Sequence, residues 1–182
     1  MARIPYFDPA QATGRAAKAY ERLPKLNIFR MLGHSGELMD GFVKFGGQIL
    51  NFMSLDPGLR EIAIVRVGVL SGAGYEVYQH ERISRDVGLS DAVIAAIHDG
   101  PDAAVFDAAQ LEVMAFTDDL VKNVRASDAT FQPILKRHGP KGAQELTLTI
   151  GYYMLVSRFL ETFDVDIEDK PTPGPKVSGL PT

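Results

Sequence analysis

The stretch that decides the fold is LREIAIVRVGVLSGAGYEVYQHERISRDVGLSDAVIAAI, which runs from Leu59 to Ile97. The Asp56-Pro57 pair before it is a helix start signal, because Asp caps a first turn and proline fits the first helical position. The segment from Leu59 to Leu70 is rich in Ile and Val, so a buried strand is the alternative there. Its length, the proline start and the glycines at 72 and 74 favour a buried helix.

The same stretch predicts a second helix from Tyr75 to Val87, which Gly88 ends. The two helices are joined by the short Gly72-Ala73-Gly74 turn. A connection this short makes neighbouring helices antiparallel. We therefore expect a helix hairpin at the centre of the fold.

Helical periodicity and turn signals continue on both sides of the hairpin. They predict further helices after Asp8-Pro9, near Asn27, after Ser35, after Ser90, from Asp107 to Val124, after Ser127 and, following the Gly139-Pro140 pair, from about Ala143 to Phe163. Pro133 predicts a kink or a late start in the helix that Ser127 caps. The sequence thus predicts one all-α domain of about eight or nine helices over residues 1–165, followed by a Pro/Gly-rich tail over residues 166–182.

Composition excludes several classes of function. The 182 residues carry a formal net charge of -4 and no run of Lys or Arg, so we expect no nucleic-acid partner. The best candidate for a membrane span, Ile62 to Leu70, is interrupted by Arg66 and is too short. The first residues lack the apolar stretch of a signal peptide, so we expect a cytoplasmic protein. The chain has no cysteine, which excludes disulfides, zinc thiolates and thiol nucleophiles.

The predicted hairpin brings together three residues that can exchange protons. Glu76 and His80 are four positions apart and project from one face of the second helix. Glu61 lies on the first helix, at a similar distance from the turn as His80. A histidine between two carboxylates suits general acid–base catalysis, because one carboxylate orients the imidazole while the other exchanges a proton. We take Glu61, Glu76 and His80 as the candidate catalytic residues.

Two alternatives stand beside this interpretation. A Glu–His pair at this spacing is also a common solvent-exposed helix contact of a few tenths of a kcal/mol. One imidazole and two carboxylates also resemble a facial metal triad, but no second histidine occurs at ligand spacing. We therefore predict no bound metal.

Four further residues are candidates for substrate binding. Tyr75 and Tyr78 flank the Glu–His pair and can donate hydrogen bonds to a carboxylate or lactone oxygen; packing at a helix edge is the alternative. Arg66 interrupts an apolar helix, where it would hold either a substrate carboxylate or a structural ion-pair partner. His34 lies in the segment before the hairpin, with a substrate contact or a surface role as the two interpretations.

The quoted stretch resembles the core of the carboxymuconolactone decarboxylase family, which shares its fold with the alkylhydroperoxidase D proteins. The flanks agree with this resemblance. NIFRMLGHSGELMDGF, from Asn27 to Phe42, is similar to the helical lead-in of the larger members. LTLTIGYYMLVSRFLETF, from Leu146 to Phe163, is similar to their last helix. The resemblance covers nearly the whole chain except the tail and implies an alkylhydroperoxidase D-like fold.

Two branches of the family carry different site residues. The peroxidase branch uses an upstream Glu, a CxxC pair and a His four residues after the second cysteine. His80 and Glu61 match the His and the Glu, but Ala73 and Glu76 occupy the cysteine positions, so thiol-dependent peroxide reduction is excluded. The decarboxylase branch carries an ExxxH arrangement without the cysteines, and residues 76–80 match it.

The resemblance implies a lyase that needs no cofactor, and we expect a decarboxylase of a small unsaturated lactone or related carboxylic acid, of the kind met in aromatic compound catabolism. His80 would donate the proton, Glu76 would be its coupled partner or a second acid, and Glu61 would set the tautomer and charge of His80. An isomerase or hydratase using the same pair is one alternative, and a non-catalytic member that binds a small ligand or a partner is another. The resemblance also implies a homo-oligomer, either a trimer or a hexamer.

Overall fold

Helices form all the regular secondary structure of residues 1–169, the part of the chain that the computed structural model describes. The α-helices are α1 Gly14–Tyr20, α2 Asn27–Leu32, α3 Gly36–Phe52, α4 Pro57–Ser71, α5 Gly74–Asp86, α6 Asp91–Asp99, α7 Ala108–Asn123 and α8 Asp128–Thr162. Two short 3-10 helices, Pro9–Gln11 and Gly33–Ser35, precede α1 and α3. The predicted all-α fold is confirmed. Most of the predicted tail, residues 170–182, lies outside the described residues.

Helix α4 lies at the centre of the molecule. Asp56 caps it by accepting a hydrogen bond from the Leu59 backbone N–H, and Pro57 is its first residue. Residues on all of its faces are buried, because α5, α6, α7 and α8 pack around it. Because no face of α4 is exposed, its sequence has no polar stripe with helical periodicity. For this reason the sequence pattern alone was also compatible with a buried strand. The prediction of a buried helix here is confirmed.

The α4–α5 hairpin depends on glycine at two places. Gly72 ends α4 in the left-handed backbone region, with φ of 65°, where a side chain would be strained. At Gly68, a Cβ atom would lie only 3.0 Å from Cγ2 of Val77, so the absence of a side chain lets α5 pack closely on α4. This close antiparallel packing carries Glu61 of α4 and His80 of α5 to the same level of the hairpin.

Helix α8 contains a break at the Gly139-Pro140 pair, which the sequence analysis placed between two separate helices. The backbone is non-helical at Gly139, with φ of 66°, immediately before Pro140. Pro133 instead lies within the helical part that precedes this break. The prediction of a kink or a late start at Pro133 is therefore wrong, whereas the predicted boundary at Gly139-Pro140 is confirmed. Gly139 tolerates the positive φ that the change of direction requires.

The segment after α8 returns to the beginning of the chain. The Arg3 N–H donates to the Phe163 carbonyl, and the Tyr6 hydroxyl donates to the Asp166 carboxylate at 3.1 Å. The Asn27 side-chain amide also donates to the Asp166 carbonyl at 2.8 Å. Asp166 and Glu168, which the sequence analysis assigned to the tail, thus contact the helical domain. No helix within residues 1–169 is long and apolar enough to cross a membrane.

Candidate active site

His80 lies between the two carboxylates with which the sequence analysis grouped it. Its Nδ1 atom is 2.7 Å from Oε2 of Glu61, and its Nε2 atom is 3.1 Å from Oε1 of Glu76. The first contact is a hydrogen bond, whereas the second is an ion pair without hydrogen-bond alignment. Glu76 Oε1 is buried and has no hydrogen-bond partner among the described residues. The three side chains form a chain of polar groups in which Glu76 is held to His80 by charge and not by an aligned hydrogen bond.

The far end of this chain is held by Arg60. Its Nε atom donates to Oε1 of Glu61 at 2.9 Å, and its Nη1 atom donates to the Leu50 carbonyl at 2.9 Å. Both residues of the Arg60–Glu61 pair are buried. Glu61 therefore accepts from Arg60 with one oxygen and faces His80 with the other, which fixes the orientation of its carboxylate.

The two carboxylates determine the charge of His80. Burial lowers the pKa of the imidazole, but the negative charges of Glu61 and Glu76 and their contacts to both ring nitrogens outweigh it, raising the pKa from 6.5 to about 10. His80 is therefore an imidazolium at neutral pH, with one N–H directed to Glu61 and the other toward Glu76. The Nε2 proton of His80 therefore lies next to a carboxylate oxygen of Glu76, to which it can be transferred.

Glu76 and His80 face a cavity of about 150 Å³ enclosed by α2, α3, α5 and α8 and by residues just before α2. A cavity of this volume accommodates a ring of roughly the size of benzene. Its walls are mainly apolar: Leu23, Leu26, Ile28, Phe29, Phe42, Val43, Gly46, Gly47, Leu50, Ile83 and Val156. The remaining lining residues are Asn51, Tyr75, Glu76, Gln79, His80, Tyr152 and Tyr153. No Lys or Arg is among the described residues that line it.

Two tyrosines of α8 complete the wall opposite α5, and the sequence analysis did not single them out. The Tyr153 ring meets the His80 ring edge to face, with 4.9 Å between the centroids. The Tyr152 hydroxyl donates to the Phe42 carbonyl at 3.0 Å. Burial and the nearby Glu76 carboxylate raise the pKa of both phenols, so both remain neutral. The adjacent tyrosines in TIGYYML were the available signal in the sequence.

The structure places the predicted substrate-binding residues in different environments. Tyr75 lines the cavity, and its hydroxyl donates to Oε1 of Glu168 at 2.6 Å. Tyr78 is not part of the cavity lining, and its ring lies beneath the Arg82 guanidinium. His34 lies at the surface, where its Nε2 atom is 2.7 Å from the Pro5 carbonyl oxygen. Of these three residues, the structure brings only Tyr75 to the cavity.

Arg66 requires a correction. It forms a two-point ion pair with Asp118, with N···O distances of 2.6 and 2.9 Å, and its Nη1 atom also donates to the Ile97 carbonyl. It does not line the cavity. Of the two interpretations given for Arg66, the structure supports the ion pair, because a cation within a buried helix needs a fixed countercharge. The assignment of Arg66 to substrate binding is wrong.

Among residues 1–169, no three His, Asp or Glu side chains are arranged to hold a metal ion. At His80 both ring nitrogens face carboxylate oxygens. The polar groups of this site therefore pair with one another, and what they can do is hold and move a proton.

Residues 36–119 match the model of the carboxymuconolactone decarboxylase family. No protein of curated function matches the chain. A peroxidase-related protein from Ralstonia eutropha JMP134 with an alkylhydroperoxidase AhpD core superposes with a TM-score of 0.78 at 20% identity, over 92% of this chain and 93% of that chain.

Two further solved structures have the same fold. A peroxidase-related protein from Silicibacter sp. TM1040 gives a TM-score of 0.75 at 14% identity, over 92% of this chain and 94% of that chain. The debrominase Bmp8 in complex with 2,3,4-tribromopyrrole gives 0.70 at 17% identity, over 79% of this chain and 78% of that chain. The family match spans Glu61, Glu76 and His80, and the described chain has the fold of these structures. Residues 36–119 of this cysteine-free chain therefore match the carboxymuconolactone decarboxylase family model, and residues 1–169 have the alkylhydroperoxidase AhpD-like fold.

Proposed function

We propose that the protein is a cofactor-independent enzyme that moves a proton at carbon in a small unsaturated lactone or a related carboxylic acid, and that the reaction is a decarboxylation. The observation that carries the proposal is the buried Glu61–His80–Glu76 chain, whose His80 and Glu76 side chains line an apolar cavity. Such a cavity excludes water and strengthens electrostatic interactions within it.

The reaction can be written with the groups present. The bond between the ring carbon and the substrate carboxylate breaks, carbon dioxide leaves, and the electron pair is delocalised into the conjugated lactone carbonyl. The proton on Nε2 of His80 passes to Glu76 and from there to the ring carbon, forming the new C–H bond. A proton taken up from solvent then restores the His80 imidazolium, so the net reaction converts the carboxylate and one proton into the product and carbon dioxide. Glu61 keeps the imidazole oriented and supports its positive charge before the transfer.

The cavity also fits this reaction by its size and polarity. Its volume of about 150 Å³ matches a single small ring. A carboxylate brought into apolar surroundings loses hydration, whereas the anion left after loss of carbon dioxide spreads its charge over several atoms. The debrominase Bmp8, which shares the fold, was solved with a small ring compound, 2,3,4-tribromopyrrole.

One observation favours a second function, the isomerisation of a neutral ring compound. No Lys or Arg lines the described cavity, so a neutral substrate enters without needing a countercharge. Glu76 can then remove a proton from one carbon and return it to another, with His80 supporting the charge of the carboxylate. This reaction uses the same residues but releases no carbon dioxide.

The two reactions are separated by one experiment in deuterium oxide. Small lactones and related acids are incubated with the protein, carbon dioxide release is measured, and deuterium at carbon is followed by NMR. Release of carbon dioxide identifies the decarboxylase, whereas deuterium incorporation without release identifies the isomerase. If neither signal appears and calorimetry nevertheless shows ligand binding, the protein is a binding protein and the proposal is contradicted.

The residue assignment is tested with matched variants. Glu76→Gln and His80→Ala should each lower turnover about 10²–10⁴-fold, the usual cost of losing a general acid or base. The controls are Glu81→Gln and His98→Ala, because Glu81 and His98 form an exposed Glu–His contact of 2.8 Å outside the cavity. Circular dichroism checks the folding of each variant. Unchanged turnover in His80→Ala would contradict the assignment.

A further inference from the structure

A third carboxylate lies next to the cavity-lining residues, and it is supplied by the segment after α8. Glu168 accepts three hydrogen bonds from donors on α2 and α5. Its Oε1 atom accepts from the Tyr75 hydroxyl at 2.6 Å and from the Asn27 backbone N–H at 2.7 Å. Its Oε2 atom accepts from the Gln79 side-chain amide at 2.7 Å. Two α5 side chains and a backbone amide thus converge on one carboxylate.

Two of these donors also belong to the cavity wall. Tyr75 and Gln79 are one helical turn apart and immediately precede Glu76 and His80, and all four residues line the cavity. The cavity lining offers no Lys or Arg to a ligand's carboxylate. The Tyr75 phenol stays protonated, because burial and the Glu168 carboxylate both raise its pKa. Tyr75 and Gln79 are therefore the neutral donors available to a carboxylate at this wall.

We infer that Tyr75, Gln79 and the Asn27 backbone amide form a carboxylate-binding subsite, that Glu168 of the same chain occupies it, and that a carboxylate on a small ring ligand competes with Glu168 for these donors. This inference rests on the proposed function, since it locates the acid group of the substrate class proposed above. The ring of such a ligand lies in the apolar cavity and its carboxylate takes the place of the Glu168 carboxylate.

The contacts of Glu168 would allow an external carboxylate to replace its own carboxylate at these donors. The Tyr75 hydroxyl, the Asn27 N–H and the Gln79 amide are all neutral donors, so no ion pair holds the Glu168 carboxylate at this wall. The neighbouring Asp166 attaches the segment separately, through Tyr6 and Asn27. Removal of the Glu168 carboxylate therefore leaves the segment attached while it frees the donors. If Glu168 fills the subsite in about nine of every ten molecules, its removal strengthens binding of an external carboxylate about tenfold.

The test measures binding by calorimetry and needs no turnover. The probes are benzoate, which carries a carboxylate on a single ring, and benzamide, which has the same shape without the charge. Wild type is compared with Glu168→Ala and with the near-isosteric Glu168→Gln. The control is Glu161→Ala, which removes the same charge near the end of α8, where Glu161 is exposed. Circular dichroism and thermal melting check that each variant is folded.

We expect Glu168→Ala to bind benzoate about tenfold more tightly than wild type, with little gain for benzamide and none in Glu161→Ala. Adding Tyr75→Phe and Gln79→Ala to Glu168→Ala should abolish the gain. Equal gains for benzoate and benzamide would show that the change only opens the cavity, and weaker benzoate binding would show that Glu168 positions the wall; either result overturns the inference. Because binding is measured directly, a failed decarboxylase assay does not affect this outcome.

Discussion

The Nδ1 atom of His80 lies 2.7 Å from Oε2 of Glu61, although the two residues belong to different helices. The close packing of α4 on α5 produces this contact, and Arg60 holds the other oxygen of Glu61. On its second side the same imidazole faces Glu76 at the cavity. One histidine therefore connects the buried centre of the fold to the space in which a ligand would lie.

The protonation of His80 is the first prediction. Because burial is outweighed by the two carboxylates, we expect the imidazole to remain charged from pH 6 to 9, with a pKa near 10. NMR of ¹⁵N-labelled protein measures this, since the ring nitrogens shift on deprotonation. Glu61→Gln should lower the pKa of His80, because it removes one of the two negative charges. Glu81→Gln, which changes the neighbour of His98, should leave His80 unaffected. A His80 pKa below 7 in wild type would contradict the prediction.

The same shift predicts how stability depends on pH. The pKa of His80 is higher in the folded protein, about 10, than the 6.5 of an unperturbed histidine. Its contribution to the free energy of unfolding is therefore complete below pH 6.5 and is lost as the pH rises toward 10. We expect denaturant unfolding to show a decline between pH 6.5 and 9, with a His80 part of at most about 1.4 kcal/mol per pH unit.

That decline should be smaller in His80→Gln and retained in His98→Ala, whose imidazole is exposed. The measurement stops at pH 9 because Tyr75, Tyr152 and Tyr153 have raised pKa values as well. Their contribution to stability declines only above the usual tyrosine pKa of 10. Identical pH dependence in the two variants would show that His80 is not the group responsible.

The grouping of Glu61, Glu76 and His80 was predictable from the sequence because it depends on local rules. Helical spacing places Glu76 and His80 on one face, and a short glycine-containing turn makes α4 and α5 antiparallel. The fold class was predictable for the same reason, since start signals, stop signals and apolar periodicity are all local. The break in α8 was predictable as well, because Gly139-Pro140 is a local stop signal, and only the kink or late start expected at Pro133 was wrong.

The other contacts depend on residues that the sequence brings together only through the tertiary structure. Arg66 needed a countercharge, but its partner Asp118 lies 52 positions away on α7. Glu168 lies 93 positions from Tyr75, in a segment whose sequence has no helical periodicity to indicate which way its side chains face. Which face of a helix borders a cavity also depends on the packing of all its neighbours. These are the reasons why Arg66 was misassigned and Glu168 was missed.

Loss of the Arg66–Asp118 ion pair should lower the free energy of unfolding substantially and leave ligand binding in the cavity nearly unchanged. Asp118→Ala leaves the buried Arg66 guanidinium without its carboxylate, so we expect the free energy of unfolding to fall by about 3 kcal/mol. Urea denaturation measures the loss. Glu112→Ala, which removes the partner of the surface residue Arg137, is the matched control and should change stability little. Because Arg66 does not line the cavity, benzoate binding by folded Asp118→Ala should equal that of wild type; a loss would show that the pair supports the site.

A substitution at Gly46 tests how tightly Tyr152 is packed in the cavity wall. A Cβ atom at Gly46 would lie 2.5 Å from the Tyr152 hydroxyl oxygen, so Gly46→Ala forces that ring to move and disturbs its hydrogen bond to the Phe42 carbonyl. Strain of this kind costs about 1–3 kcal/mol, and we expect a lower melting temperature together with weaker benzamide binding.

Gly41→Ala is the matched control, because Gly41 lies on the same helix and a Cβ atom there meets nothing within 4 Å. That change should stabilise α3 by up to about 1 kcal/mol, as alanine is the better helix former. The double variant Gly46→Ala with Tyr152→Phe removes the hydroxyl that the new methyl group meets, so it should recover part of the lost stability and binding. Equal melting temperatures for Gly46→Ala and Gly41→Ala would show that Tyr152 yields without cost and that the wall is not rigid.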